Sequence, residues 1–150
     1  MGAYQTVLVG TDGSDSSYRA VDRAAAIASD AAATLVILCA YRPASEREVS
    51  SASDVLGEEA YHVVGSTPAE ETLRTATERA NKAGASEVRT VAAVGDPVKA
   101  LTKAISEHKV DLLVVGNRGL NTLAGRVLGS VPSDVSRHAG CDVLIVHTVR

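Results

Sequence analysis

The sequence predicts an α/β protein: an open, doubly wound, five-stranded parallel sheet with helices on both faces. Three observations carry that expectation. Five short runs rich in Val, Leu and Ile recur along the 150 residues. Amphipathic helical segments separate most of them. Four of the five have apolar residues at consecutive positions, the pattern of a strand covered on both faces. Alternation of this kind favours right-handed crossovers, and the expected spatial order is 3-2-1-4-5.

The strand runs are TVLVG (6–10), TLVILCAY (34–41), EVRTVAAVG (87–95), DLLVVG (111–116) and DVLIVHTV (142–149). The first helix is expected over 16–32, with Ala20, Ala24, Ile27 and Ala31 on its apolar side and Arg19, Asp22, Arg23 and Asp30 around the rest. The second is announced by Thr67 as N-cap, Pro68 at the first helical position and Glu70 at the capping-box position, with Gly84 as terminator. Asp96 and Pro97 open a third helix, to Lys109, whose apolar side is Val98, Leu101, Ala104 and Ile105. A last helix from about Ser130 to His138 accepts Pro132 in its first turn and stops at Gly140. The polar stretch 42–66 fits none of these elements and reads as a long functional or mobile insert.

One domain covering 1–150 is the expectation at this length. With 45% hydrophobic and 22% charged residues, disordered and fibrous classes are excluded. No apolar run approaches the ~20 residues that span a bilayer, and the first residues do not resemble a secretory signal, so a cytoplasmic location without membrane partners is expected. A net charge of -3, scattered basic residues and the absence of Phe and Trp argue against nucleic acid as a partner. Cys39 and Cys141 lack metal or redox spacing and read as buried free thiols.

In an open parallel sheet the ligand sits beyond the carboxyl ends of the strands, where their order reverses. The expected order puts that point between the first and fourth strands. They run into two glycine-rich turns, Gly10-Thr11-Asp12-Gly13-Ser14 and Gly116-Asn117-Arg118-Gly119. Glycine lets backbone N–H groups approach a ligand, and a helix starting at Ser130 adds free donors and a positive dipole end, a combination that suits phosphate. Gly119, Gly129 and Ser130 would form the anion nest, with Arg118 and Arg126 at its rim. GxxxxGK[ST] is absent, which excludes a Walker-type NTPase. Plainer roles compete with each of these: the glycines as turn and packing residues, Asp12 as a capping or turn acid, the arginines as solvated side chains.

The spacing Gly116, two residues, Gly119, nine residues, Gly129-Ser130 gives G-x2-G-x9-G-[S/T]. Together with the opening VLVGTDGSDSS it resembles the universal stress protein family, in its ATP-binding-motif branch, over essentially the whole chain. The resemblance implies an adenine nucleotide α-hydrolase-like fold and an adenine-nucleotide site serving a stress or signalling module. Carried over by motif, Asp12 would face ribose and adenine, with Gly10 and Thr11 in the same nucleotide-binding set. Cys39 and Ala40 would line the adenine pocket, Gly116 would lie near the ribose, Gly119, Gly129, Ser130 and Val131 would hold phosphates, and Asn117 and Arg118 complete the nucleotide-binding set. ATP, with Mg2+ accompanying it, AMP and cAMP all stay open as ligands. The chain departs from the family pattern at Gly10-Thr11-Asp12, where many relatives place a proline or another small residue before the acid. The resemblance also implies a homodimer through the last strand, an apolar edge that needs cover.

Catalysis finds less support. Ser130, Asp134 and His138 share one helix face, cannot surround a carbonyl as a triad must, and have no G-x-S-x-G elbow. His62, His108, His138 and His147 never pair at metal-ligand spacing. Asp12 as a receiver-domain phosphoacceptor would want an acidic cluster and a facing Lys, where the fourth strand has GNRG. Slow hydrolysis of a bound nucleotide would need an oriented water, and the sequence offers no evident base for it. Two alternatives to nucleotide binding alone therefore stand: weak ATP hydrolysis on the same site, and a nucleotide-free interaction protein using the 42–66 insert.

Overall fold

A computed structural model describes residues 2–42, 66–117, 134–135 and 137–148. In chain order the elements are β1 (Thr6–Gly10), α1 (Asp15–Ala31), β2 (Thr34–Tyr41), α2 (Ser66–Lys82), β3 (Glu87–Val94), α3 (Pro97–His108), β4 (Leu112–Gly116) and β5 (Asp142–Val146). Asp134, Val135, Arg137 and His138 are helical. The sheet order is β3-β2-β1-β4-β5 and every described pairing is parallel, as the sequence predicts. The 42–66 insert lies, apart from its two end residues, outside the described residues.

Strand side chains alternate between faces, and both faces are covered. Val7, Val9, Leu35, Ile37 and Val114 pack with Ala20, Val21, Ala24 and Ala28 of α1 and Ala69, Leu73 and Ala76 of α2. Leu8, Val36, Leu38, Leu113 and Val115 pack on the other face with Leu101, Ala104 and Ile105 of α3, together with Val135 and Ala139. Alanine lines most of the helical side of the first layer, so α1 and α2 can lie close to the sheet without aromatic filler. α1 is rotated slightly from the expected face: Val21, Ala25 and Ala28 join Ala20 and Ala24 in full burial, while Ile27 and Ala31 sit at the margin.

β1 is fixed at its amino end by Asp111, just before β4. Its carboxylate accepts from Gln5 N at 2.9 Å and Thr6 N at 3.0 Å, and Asp111 N donates to Thr6 O at 3.1 Å. α1 is bound to α2 by the two-pronged Arg79–Asp22 contact, 3.0 and 2.6 Å, with the Arg79 guanidinium 5.1 Å from the Tyr18 ring centre.

Among the differences from the sequence expectation are two element ends and one burial. α2 already begins at Ser66, so Thr67 is helical and not the N-cap; Pro68 still falls in the first turn, where no intrahelical N–H bond is lost. β5 ends at Val146, paired with the last β4 residue Gly116, because beyond it β4 offers no further partner backbone. Cys141 is only half-buried, although Cys39 is fully buried and both are free thiols. Asp96 caps α3 as expected, accepting from Lys99 N at 3.0 Å.

α1 closes on Ala32 in the left-handed region, φ 53°, exposed and donating to Ala28 O and Ser29 O. An L-residue with a Cβ is strained there, and glycine is not. Ala32→Gly is expected to raise unfolding free energy by up to about 1 kcal/mol, read as a higher urea midpoint at unchanged slope.

Candidate functional site

The sheet reverses direction at β1: β2 and β3 extend to one side, β4 and β5 to the other. β1 and β4 are parallel neighbours, with Val9 opposite Val114, so Gly10 and Gly116 end side by side at the carboxyl edge. This is the edge at which the sequence reading expects the ligand crevice. A separate polar recess of about 260 Å³ lies at the amino end of the sheet, lined by Thr6, Thr34, Arg89, His108 and Lys109 among others.

The turn after β1 is built from its own side chains. Thr11 N extends the ladder to Leu38 O at 2.9 Å, and the residue is buried. Ser14, rather than Asp12, is the N-cap of α1, its Oγ accepting from Ser17 N at 3.2 Å. Asp12 holds that cap in place: Oδ1 accepts from Ser14 N at 2.9 Å and from Ser14 Oγ at 2.6 Å. Ser17 gives its hydroxyl proton to Ser14 O at 2.9 Å, so in the 2.8 Å contact between Thr11 Oγ1 and Ser17 Oγ the Thr11 hydroxyl donates. Asp12 N then donates to Ser17 Oγ at 3.3 Å and Gly13 N to Thr11 Oγ1 at 3.2 Å. Gly13 has φ 86°, and a Cβ there would come within 3.1 Å of Thr72 Oγ1, so this position calls for glycine on both counts.

Two consequences follow. The four amides from Thr11 to Ser14 are all engaged within the chain, which leaves this turn without donors for a phosphate. Oδ1 of Asp12 is committed to the Ser14 cap, and Oδ2 of this half-buried acid accepts no hydrogen bond among the described residues.

Cys39 and Ala40 follow one another on β2 and send their side chains to opposite faces, Cys39 to the α1 and α2 layer and Ala40 toward the α3 layer. Burial, and after it the negative charge of Asp12, pushes the Cys39 thiol up to about 12. The thiol therefore stays protonated at neutral pH and is no nucleophile.

On the β4 side, Asn117 N donates to Val146 O at 2.8 Å. Its Oδ1 accepts from Thr148 N at 2.8 Å and from Thr148 Oγ1 at 3.1 Å. That fixes the amide orientation and turns Nδ2 toward His147 Nδ1 at 3.4 Å. Thr148 is 2% exposed; its Oγ1 is 2.5 Å from Ser16 Oγ, and its carbonyl accepts from Arg19 Nη1 at 2.6 Å. A Cβ on Gly116 would come within 3.2 Å of Thr148 Oγ1 and 3.3 Å of its Cγ2, which gives Gly116 a packing role beside any contact with a ligand.

Gly10, Thr11, Asp12, Gly116 and Asn117 thus gather at one edge, with Cys39 and Ala40 at the adjoining end of β2. Arg118, Gly119, Arg126, Gly129, Ser130 and Val131 lie outside the described residues. The sequence reading missed Ser16, Ser17, Arg19 and Thr148. The DGSDSS run signals the serines as cap and turn formers, whereas the reach of Thr148 across 132 positions to Ser16 has no local signature.

The parallel order β3-β2-β1-β4-β5, with helices on both faces, places the chain among doubly wound α/β proteins, whose ligands, where they have them, sit beyond the carboxyl edge. The family model of the universal stress protein family matches residues 3–147, and the chain belongs to that family. It is 58% identical over 148 residues to universal stress protein Rv1636 of Mycobacterium tuberculosis, covering 99% of each chain. A solved universal stress protein in complex with cAMP is 49% identical, covers 99% of this chain and 100% of its own, and superposes with a TM-score of 0.76. UspA of Lactobacillus plantarum, 25% identical over 97% of this chain and 99% of its own, has the same fold at a TM-score of 0.75.

The thiol of Cys39 makes a prediction about alkaline stability. Folded, it keeps its proton to about 12, above its ordinary value of 9.0, so the unfolded chain releases that proton first. Its contribution is complete below pH 9 and declines between there and about 12, by at most ~1.4 kcal/mol per pH unit. Urea midpoints measured from pH 8 to 10.5 are expected to fall less steeply for Cys39→Ala than for the unaltered protein; equal slopes would exclude this assignment.

Proposed function

We propose that this protein binds an adenine nucleotide in the crevice between the carboxyl ends of β1 and β4, as a stress or signalling module. The observation that carries the reading is that β1 and β4 end in Gly10 and Gly116 at one carboxyl edge, at the place where the strand order reverses, with Asp12 two residues beyond Gly10 and its Oδ2 unbonded among the described residues. Nucleotide binding by a 49% identical relative, solved with cAMP, supports it.

The geometry divides the labour. An ionised carboxylate is acceptor-only, so Asp12 Oδ2 suits a ribose hydroxyl or the adenine amino group and repels phosphate. With the Thr11–Ser14 amides engaged, the phosphate is assigned by the family motif to Arg118, Gly119, Gly129, Ser130 and Val131, which lie outside the described residues. Among the described residues no group of three His, Cys, Asp or Glu is placed to hold a metal ion. Mg2+ arriving with ATP would take most of its ligands from phosphate and water.

β5 is a sheet edge whose Val143, Leu144 and Ile145 are only half-buried in the single chain. A homodimer formed across β5 covers them and removes the open edge. Sedimentation equilibrium is expected to give twice the chain mass, and Ile145→Lys to shift the population to monomer. A monomer at all concentrations would overturn this assembly.

Calorimetric titration with cAMP, AMP and ATP tests the site. At a ligand concentration 100 times Kd the fold gains about 2.7 kcal/mol, visible as a raised Tm. Asp12→Asn keeps a carbonyl for Ser14 but turns a donor toward the crevice. It is expected to weaken the preferred nucleotide about 10- to 100-fold while leaving the Tm of the unliganded protein nearly unchanged. Unaltered affinity in that variant would remove Asp12 from the site.

A further inference from the structure

We infer that Thr148 is a positioning residue for the crevice, one that sets nucleotide affinity without touching the nucleotide; the inference rests on the nucleotide reading above. Thr148 lies two residues beyond β5, on the strand's exit, yet at 2% exposed it is more buried than Thr11, at 7%, and than the half-buried Gly10 and Asp12 to Ser14. Its contacts form one directed chain. Oγ1 donates to Asn117 Oδ1 at 3.1 Å, which uses the only hydroxyl proton, so the 2.5 Å contact with Ser16 Oγ is a bond that Ser16 donates. The backbone of Thr148 is fixed at both ends, its N–H on Asn117 Oδ1 and its carbonyl under Arg19.

Ser16 and Arg19 belong to the first turns of α1, the helix that the Asp12–Ser14 cap starts. Asn117 and Gly116 belong to the other wall. Thr148 is therefore the bridge between the wall that carries Asp12 and the wall that carries the glycine turn. Its methyl group and hydroxyl lie against the bare face of Gly116, 3.2 to 3.3 Å from where a Cβ would stand. Moving Thr148 lets Gly116 and Asn117 move relative to Asp12. A ligand that spans the two walls needs their separation fixed before it binds, and loose placement costs affinity.

The test compares Thr148→Val, which keeps the shape and removes the hydroxyl, with Thr148→Ser, which keeps the hydroxyl, using cAMP as the probe. Val is expected to weaken cAMP about tenfold and Ser to stay within about threefold of the unaltered protein, in line with one buried hydrogen bond. Ser16→Ala removes the donor at the other end and is expected to weaken cAMP in the same direction, which keeps the test open if Thr148→Val fails to fold. A separate readout needs no ligand: the amide NMR signals of Gly116 and Asn117 should shift in Thr148→Val and hold in Thr148→Ser. Full cAMP affinity in Thr148→Val and in Ser16→Ala overturns the inference. If the unaltered protein binds no adenine nucleotide, the nucleotide reading fails by itself, and unmoved Gly116 and Asn117 signals in Thr148→Val would then sink the positioning role independently.

Discussion

The pairing of β1 between β2 and β4 is the constraint on which the rest depends. It is enforced at the amino end by Asp111, whose two oxygens hold the Gln5 and Thr6 amides, and along the strand by ladders on both edges. Apolar side chains on both faces leave β1 no other register: a slip of one residue would exchange Val7 and Val9 for Leu8 between two differently shaped layers. Once β1 is fixed, its carboxyl end can go only into the crevice beside Gly116, and the Asp12 turn must form there.

That turn shows how a polar segment is placed without a metal or a disulfide. Each hydroxyl from Thr11 to Ser17 is used in a defined direction, and Oδ2 of Asp12 is left without a hydrogen bond among the described residues. Self-satisfaction of the amides is what separates this turn from a phosphate loop, although the glycine content of the two looks alike in sequence. On the opposite wall the corresponding work is done by side chains distant in sequence, Asn117 and Thr148, the latter tied back to Ser16 of α1.

The fold was legible because its determinants are local or periodic. Consecutive apolar positions marked β2 and β4 as doubly covered, and Asp96-Pro97 marked the start of α3 through cap chemistry that acts within four residues. The Thr67 cap was misread because Pro68 is tolerated anywhere in a first turn, so it fixes a helix start only to within a residue or two. The site was legible to the extent that it follows from topology: Gly10, Asp12 and Gly116 share an edge because the strand order reverses there. The opposite orientations of Cys39 and Ala40 follow from strand alternation, and the Asp12 support of the Ser14 cap acts within two residues, so both were within reach of the sequence; the Thr148 bridge depends on three-dimensional closure.

The account stands most directly on where a nucleotide lies in the folded chain. A crystal structure of the protein with cAMP tests this, and is expected to place a ribose hydroxyl or the adenine amino group within hydrogen-bond distance of Asp12 Oδ2, between Gly10 and Gly116. A nucleotide seated instead at the amino end of the sheet, beside Thr6 and Arg89, or one in the crevice that leaves Asp12 untouched, would contradict it.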